Sequence, residues 1–181
     1  MRLFSANGLH RGARQVPSPN CDDRPAGAET TLVVLHSISL PPGEFGGEAI
    51  EQLFTNRLDP AAHPAFEELR ALRVSAHFLV RRDGELIQFV PVHRRAWHAG
   101  VSRWRGRQRC NDFSVGIELE GTPQHAFADP QYAQLARLVR ALRSALPLRE
   151  IAAHSDIAPG RKSDPGGRFD WSRLFLALAA R

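Results

Sequence analysis

Two stretches, Thr31-Leu32-Val33-Val34-Leu35-His36 and Ser114-Val115-Gly116-Ile117-Glu118-Leu119-Glu120, decide the fold. The first is an unbroken β-branched and apolar run, the pattern of a strand buried on both faces. The second alternates, with Val115, Ile117 and Leu119 turned one way and Gly116, Glu118 and Glu120 the other. Outward from these, Pro41 to Gly47 reads as a loop and Glu48 to Phe54 as a short helix. Val74 to Val80 reads as a strand that turns through Arg82-Asp83-Gly84 into Leu86 to Val90. Asp129-Pro130 supplies an N-cap and a first-turn proline. The helix that follows sets Tyr132, Leu135, Val139, Leu142 and Leu146 on one face and Arg137, Arg140 and Arg143 on another. Arg149 to His154 is a further short strand, and Asp170 caps a terminal helix packed through Leu174, Phe175 and Leu178. This interleaving predicts a single α/β domain with a mixed central β-sheet flanked by helices. Residues 1–29, punctuated by Pro17, Pro19 and Pro25, are expected as an extended arm packed on a domain spanning 30–181.

With 181 residues, 43% of them hydrophobic and 24% charged, the chain resembles a globular domain and not a disordered one. A domain of that size hides roughly 70% of its unfolded surface, so its core needs no staples. No apolar run approaches the ~20 residues of a membrane span, and Met1 to Gln15 lacks the apolar stretch of a secretory signal. A cytoplasmic setting is expected. Cys21 and Cys110 lie far apart and form no CxxC unit, which excludes a disulfide framework and leaves free thiols. The net charge is +5, and Lys162 is the only lysine among 24 basic residues. Such a balance fits an anionic partner.

Two histidines occupy the same kind of place. His36 ends the first strand and His154 ends Arg149 to His154; strand ends are where a rigid sheet aims side chains into a crevice. After His154 a Pro/Gly-punctuated loop, Ser155 to Gly166, can swing Asp164 back toward it. Two imidazoles, one carboxylate and a fourth position for water make a hydrolytic zinc arrangement. On the second strand, Glu118 and Glu120 share a face, either as a solvated acidic edge or as a general base. Roughly 7 Å apart, they would also suit a metal-independent inverting glycosidase. Lys162 offers a compact ammonium, the kind of point charge that stabilises an oxyanion. Arg94 to Asn111 has no apolar period and reads as a loop; from Arg94 to Arg109 it holds six arginines with Trp97, His98 and Trp104, a mixture suited to single-stranded nucleic acid or to sugar–peptide ligands.

These residues lie within longer stretches that carry a resemblance. They are VPSPNCDDRP (Val16 to Pro25), LVVLHSISLPPGEFGG (Leu32 to Gly47), LRVSAHFLVRRDGE (Leu72 to Glu85), RAWHAGVS (Arg95 to Ser102), RCNDFSVGIELEG (Arg109 to Gly121) and HSDIAPGRKSDPG (His154 to Gly166). Through them the chain resembles the zinc-dependent N-acetylmuramoyl-L-alanine amidases of the amidase type-2 class, and within it the cytosolic anhydro-muropeptide amidases. The resemblance implies the fold shared by phage-lysozyme amidases and peptidoglycan recognition proteins. It implies one Zn²⁺ per chain on His36, His154 and Asp164, with Glu118 as general base and Lys162 as oxyanion partner. It further implies that Ser37, Arg73, Trp97, His98, Arg109 and Ala158 meet the substrate. The reaction would be hydrolysis of the lactyl amide joining (1,6-anhydro-)N-acetylmuramic acid to L-alanine, during cytoplasmic peptidoglycan recycling. A monomer is expected, without nucleic-acid or membrane partners; a non-catalytic peptidoglycan-binding module is the alternative. One departure stands out: the close pattern reads HNIS after the first ligand, and this chain reads HSIS, with Ser37 in place of asparagine.

Overall fold

The computed structural model describes residues 3–180. In chain order its strands and helices are β1 (Arg14–Gln15), β2 (Cys21–Asp23), β3 (Leu32–Ile38), α1 (Ala49–Phe54), β4 (Phe78–Val80), β5 (Leu86–Gln88), β6 (Arg94–Ala96), β7 (Arg103–Trp104), β8 (Arg107–Gln108), β9 (Ser114–Glu120), α2 (Asp129–Ala145), β10 (Glu150–Ala153), α3 (His154–Ile157) and α4 (Trp171–Ala179). Six strands form one mixed sheet in the order β1-β5-β4-β9-β3-β10. β4, β9, β3 and β10 run parallel, while β5 returns antiparallel to β4. The two decisive stretches are therefore central neighbours, paired so that His36 lies opposite Glu118.

The period of two along these strands divides the core. Val33, Leu35, Val115, Ile117 and Leu119 face α2 and α4, where Leu135, Leu138, Val139, Leu142 and Leu174 are buried. Leu32 and Val34 face the opposite way, against Ala99, Cys110 and Phe113 of the arginine-rich segment. A third cluster seats Ile50, Leu53 and Phe54 of α1 on Leu79 and Ile87. Glu118 and Glu120 thus share the covered second face and do not form a solvated edge; both are buried.

Several expected bounds move, each for a physical reason. The N-terminal arm supplies β1, which extends the main sheet alongside β5, and β2, which pairs with β6. Its strands are two and three residues long, too short for an apolar period to mark them. The same holds for Arg94 to Asn111, expected as a loop, which forms β6, the β7–β8 pair and a 3₁₀ turn at Cys110–Phe113. Ion pairs fix this segment: the Arg95 guanidinium lies 2.5 Å from both Asp22 and Asp112. Val74 to Val80 is strand only from Phe78, because Ser75 donates its backbone N–H to the Trp97 carbonyl and its hydroxyl to the Asn20 carbonyl. Leu86 to Val90 is strand only to Gln88, and Arg149 to His154 only from Glu150 to Ala153, with His154 opening α3. Asp129 lies one residue inside α2; Ala128 takes the cap position, and its N–H donates to Gln131 Oε1 at 2.9 Å. Asp170 does cap α4, accepting from the Arg173 N–H. Phe175 is 51% exposed, stacked on Trp171 and not in the core. Cys21 and Cys110 are free.

Candidate active site

β10 ends at Ala153 beside Leu35, and His154 follows it, whereas β3 runs two residues past His36 to Ile38 and does not end at that histidine as expected; both histidines have the parity of Leu32, Val34 and Ala152, facing the arginine-rich segment. The turn after α3 is closed by Arg161 and Lys162 N–H donation to the Ala158 carbonyl, and Ser155 N–H donates to the Asp164 carbonyl. This return brings Asp164 back onto His154. Three atoms then converge: His36 Nδ1 and His154 Nδ1 are 2.9 Å apart, and Asp164 Oδ2 lies 3.0 Å from the second and 3.3 Å from the first. Ligands at about 2.0–2.1 Å in a tetrahedron stand roughly 3.3 Å from each other, so the triangle fits a zinc-sized ion.

Charge states suit such an ion. Burial pushes His36 down to about 4, against the pull of neighbouring Asp164, so its imidazole is neutral at pH 7. Burial alone would push Asp164 up, but the imidazoles of His154 and His36 beside it outweigh this and hold it well below the usual carboxylate range. Neutral imidazole and ionised carboxylate are the forms that bind metal. Neighbouring Glu118 moves the other way: burial, then the negative charge of Asp164, raises its carboxyl well above the ordinary value, with Lys162 opposing. Its Oε2 is buried without a hydrogen-bond partner. An acid–base group with a free oxygen and an elevated pKa suits proton transfer near neutrality.

A cleft of about 500 Å³ opens over these groups, and Ser37, Arg73, Trp97, His98, Arg161 and Lys162 contribute to its walls. Arg73 and Lys162 are exposed there, and Trp97 is half-buried. The Ser37 hydroxyl is buried and has no partner. Two residues expected at the substrate stand elsewhere. Arg109 is 71% exposed and pairs with Asp112 at 3.4 Å, away from the cleft walls, and Ala158 is buried, its carbonyl spent on the turn. Glu120 is fully engaged: it accepts from Arg81 at 2.7 Å, from Gly46 N–H at 2.7 Å and from Arg82 N–H at 3.3 Å. It lies outside the cleft, which removes the second carboxylate a glycosidase would need. Reading the residues alone gave no role to Arg161, Asn111, Ser114 or Gly116. Arg161 bridges to the carbonyls of Ala99 and Val101, and the Asn111 side-chain oxygen accepts from the N–H groups of His98 and Ala99. No periodic signal could have marked them, since Arg161 and Asn111 meet backbone groups of other segments, and Ser114 and Gly116 meet the rings of His98 and His77.

Comparison with known proteins shows the family and the fold. The family model described as N-acetylmuramoyl-L-alanine amidase matches residues 26–167. The chain is 60% identical over 170 residues to the 1,6-anhydro-N-acetylmuramyl-L-alanine amidase AmpD of Escherichia coli (strain K12), covering 93% of each chain. A crystal structure of a selenomethionine derivative of AmpD superposes with a TM-score of 0.93 at 54% identity, covering 97% of this chain and 99% of that one. The E. coli N-acetylmuramyl-L-alanine amidase AmiD, solved with anhydro-N-acetylmuramic acid-L-Ala-D-gamma-Glu-L-Lys, superposes with a TM-score of 0.59 at 27% identity, covering 97% of this chain and 65% of that one. A family model over residues 26–167, 60% identity along 93% of an AmpD and a superposition over 97% of the chain make this chain a member of the N-acetylmuramoyl-L-alanine amidase family, in its AmpD-type branch.

Proposed function

We propose that the chain hydrolyses the amide between the lactyl group of 1,6-anhydro-N-acetylmuramic acid and L-alanine, with one zinc ion held by His36, His154 and Asp164. The convergence of three ligand-ready atoms beneath one cleft carries this reading. Bound there, zinc would lower the pKa of a water toward ~7 and polarise the scissile carbonyl. Glu118 takes the proton of the attacking water on its free Oε2 and returns it to the amine of the departing L-alanine. Lys162, on the rim, places an ammonium where negative charge develops on the carbonyl oxygen. Arg73 and Arg161 make the cleft cationic, which suits the carboxylates of a stem peptide, and Trp97 gives it a flat face. Ser37 and Asp164 also line an adjoining, mostly apolar hollow of about 450 Å³ with Ser39, Thr122 and Gln124. That hollow suits the uncharged anhydro-sugar. The setting that follows is cytoplasmic recycling of cell-wall fragments by a monomer.

The test is to incubate the purified chain with an N-acetylglucosaminyl-anhydro-muramyl tripeptide, which carries both a glycosidic bond and the lactyl amide, with and without chelator, and weigh the products. Free anhydro-sugar and free peptide, formed only without chelator, are expected. Peptide still attached to a cleaved sugar, formed in chelator, would overturn the reading. Metal analysis of His154→Ala should show most zinc lost.

A further inference from the structure

His98 stands beside the three converging atoms, yet both of its ring nitrogens are turned into the protein. Its Nδ1 lies 2.9 Å from His36 Nε2, and its Nε2 lies 3.1 Å from Ser114 Oγ. The Ser114 hydroxyl is 2.6 Å from the Cys110 carbonyl, which can only accept, so its proton points there. The hydroxyl oxygen must then accept from His98 Nε2–H. His98 Nδ1 is left with a lone pair, which accepts from His36 Nε2–H. That in turn leaves His36 Nδ1 unprotonated, facing His154 and Asp164. One backbone carbonyl thus dictates, through two side chains, which nitrogen of His36 is free.

The ring is also held in place. Asn111 Oδ1 accepts from the backbone N–H of His98 and of Ala99, at 3.1 and 2.8 Å. Gly116 forms the seat beneath the ring: a Cβ there would lie 2.6 Å from His98 Nδ1, where no side chain fits. By contrast His154 Nε2 is buried with no partner, so the restraint is specific to His36.

We propose that His98 is the positioning residue of the metal centre: relayed from Cys110 through Ser114 and seated on Gly116, it fixes the tautomer and aim of His36. This rests on the reading that His36 is a zinc ligand. It gives His98 a role through another ligand and not as a polar contact to substrate. Outer groups that orient a metal-bound imidazole typically change affinity 10–100-fold when removed.

Two measurements on the full chain test it. Zinc affinity is read by competition with a chromophoric chelator, and the His36 tautomer in metal-stripped protein by long-range ¹H–¹⁵N spectra of the imidazoles. Wild type should show His36 protonated on Nε2. His98→Ala should weaken zinc 10–100-fold and mix the tautomers, and His98→Gln, which restores an acceptor oxygen, should recover part of both. Ser114→Ala leaves His98 present and unanchored, and Gly116→Ala displaces its ring; each should shift affinity in the same direction. Should His98→Ala fail to fold, the wild-type tautomer and Ser114→Ala decide. His36 protonated on Nδ1 in wild type, or unchanged zinc affinity in both His98→Ala and Ser114→Ala while His36→Ala loses zinc, overturns the proposal alone. Undiminished zinc in His36→Ala overturns the ligand assignment and this proposal together.

Discussion

Glu118 sits on β9 directly opposite His36, buried, with one oxygen unclaimed and Asp164 close enough to raise its pKa. Replacing it by glutamine keeps the volume and removes only proton transfer. Glu118→Gln should retain zinc and bind muropeptide, and lose on the order of 10²–10⁴ in kcat. Turnover within a factor of three of wild type, with zinc present, would remove Glu118 from the chemistry. Arg73 belongs to the same scale. It lines the cleft, whereas Arg109 pairs with Asp112 away from it. Arg73→Ala should lower kcat/KM on a tripeptide substrate by the worth of a charged hydrogen bond, about 1.5–3 kcal/mol, with zinc content unchanged. Arg109→Ala should lower it less. Equal losses in the two variants would show that Arg109 reaches the peptide as well. At this scale much of the site was legible, because histidines at the ends of apolar runs, a loop able to return an aspartate and an alternating β9 each announce themselves in the sequence. What stayed hidden, in Ser114, Gly116 and Asn111, depends on contacts between residues far apart in the chain that no local period encodes.

Among the elements, β9 is tied to its surroundings by a buried charge network. Arg81 beside β4 bonds Glu120 at 2.7 Å and Glu51 of α1 at 3.0 Å, and Glu51 also bonds Arg14 of β1 at 2.7 Å. The side chains of Glu120 and Arg81 are 3% and 8% exposed. Breaking a buried pair costs about 3–5 kcal/mol; without Glu120, Arg81 keeps only Glu51 as a carboxylate partner, and the Gly46 and Arg82 N–H groups lose their acceptor. Glu120→Ala should therefore lower the urea-unfolding free energy by that order. At a temperature where the variant is folded it should keep measurable turnover. Loss of turnover with unchanged stability would give Glu120 a role in the reaction. This network explains why the elements were only partly readable. Long strands and the 17-residue α2 declare themselves by hydrophobic period. β1, β2 and β6 to β8 are set instead by backbone pairing and by ion pairs such as Arg95 with Asp22 and Asp112, so an arm and a loop were expected where short strands form.

On the scale of the whole molecule, the main sheet is joined to the β2–β6 pair through a buried histidine whose charged form the fold disfavours. His77 Nδ1 accepts from Gly116 N–H at 3.0 Å, and its Nε2 lies 3.1 Å from the Arg94 carbonyl, linking β9 to β6. Burial, with the charge of Arg24 beside it, pushes its pKa down to about 3. His10, within the N-terminal arm, is lowered by burial as well. An unfolded histidine titrates near 6.5. As pH falls below that value the unfolded chain takes up protons that folded His77 refuses, so stability is lost on acidification and regained toward neutrality. The slope reaches about 1.4 kcal/mol per pH unit for each such histidine. Carboxylates act in a lower window: Glu51 is held down mainly by its hydrogen bond with Arg14, and Asp22 by Arg95, so their contributions fade only as pH drops through the carboxylate range. Between pH 6.5 and 4.5 the histidines govern. Zinc-loaded wild type should melt progressively lower across that interval. His77→Asn, which loses hydrogen bonds, should melt lower than wild type at pH 7 but fall less steeply, because one refused proton has been removed. Since both proteins keep the same metal centre, its own pH dependence cancels in the difference of slopes. Parallel melting curves for the two proteins would mean that folded His77 takes up a proton as readily as the unfolded chain, which its acceptance from Gly116 N–H forbids.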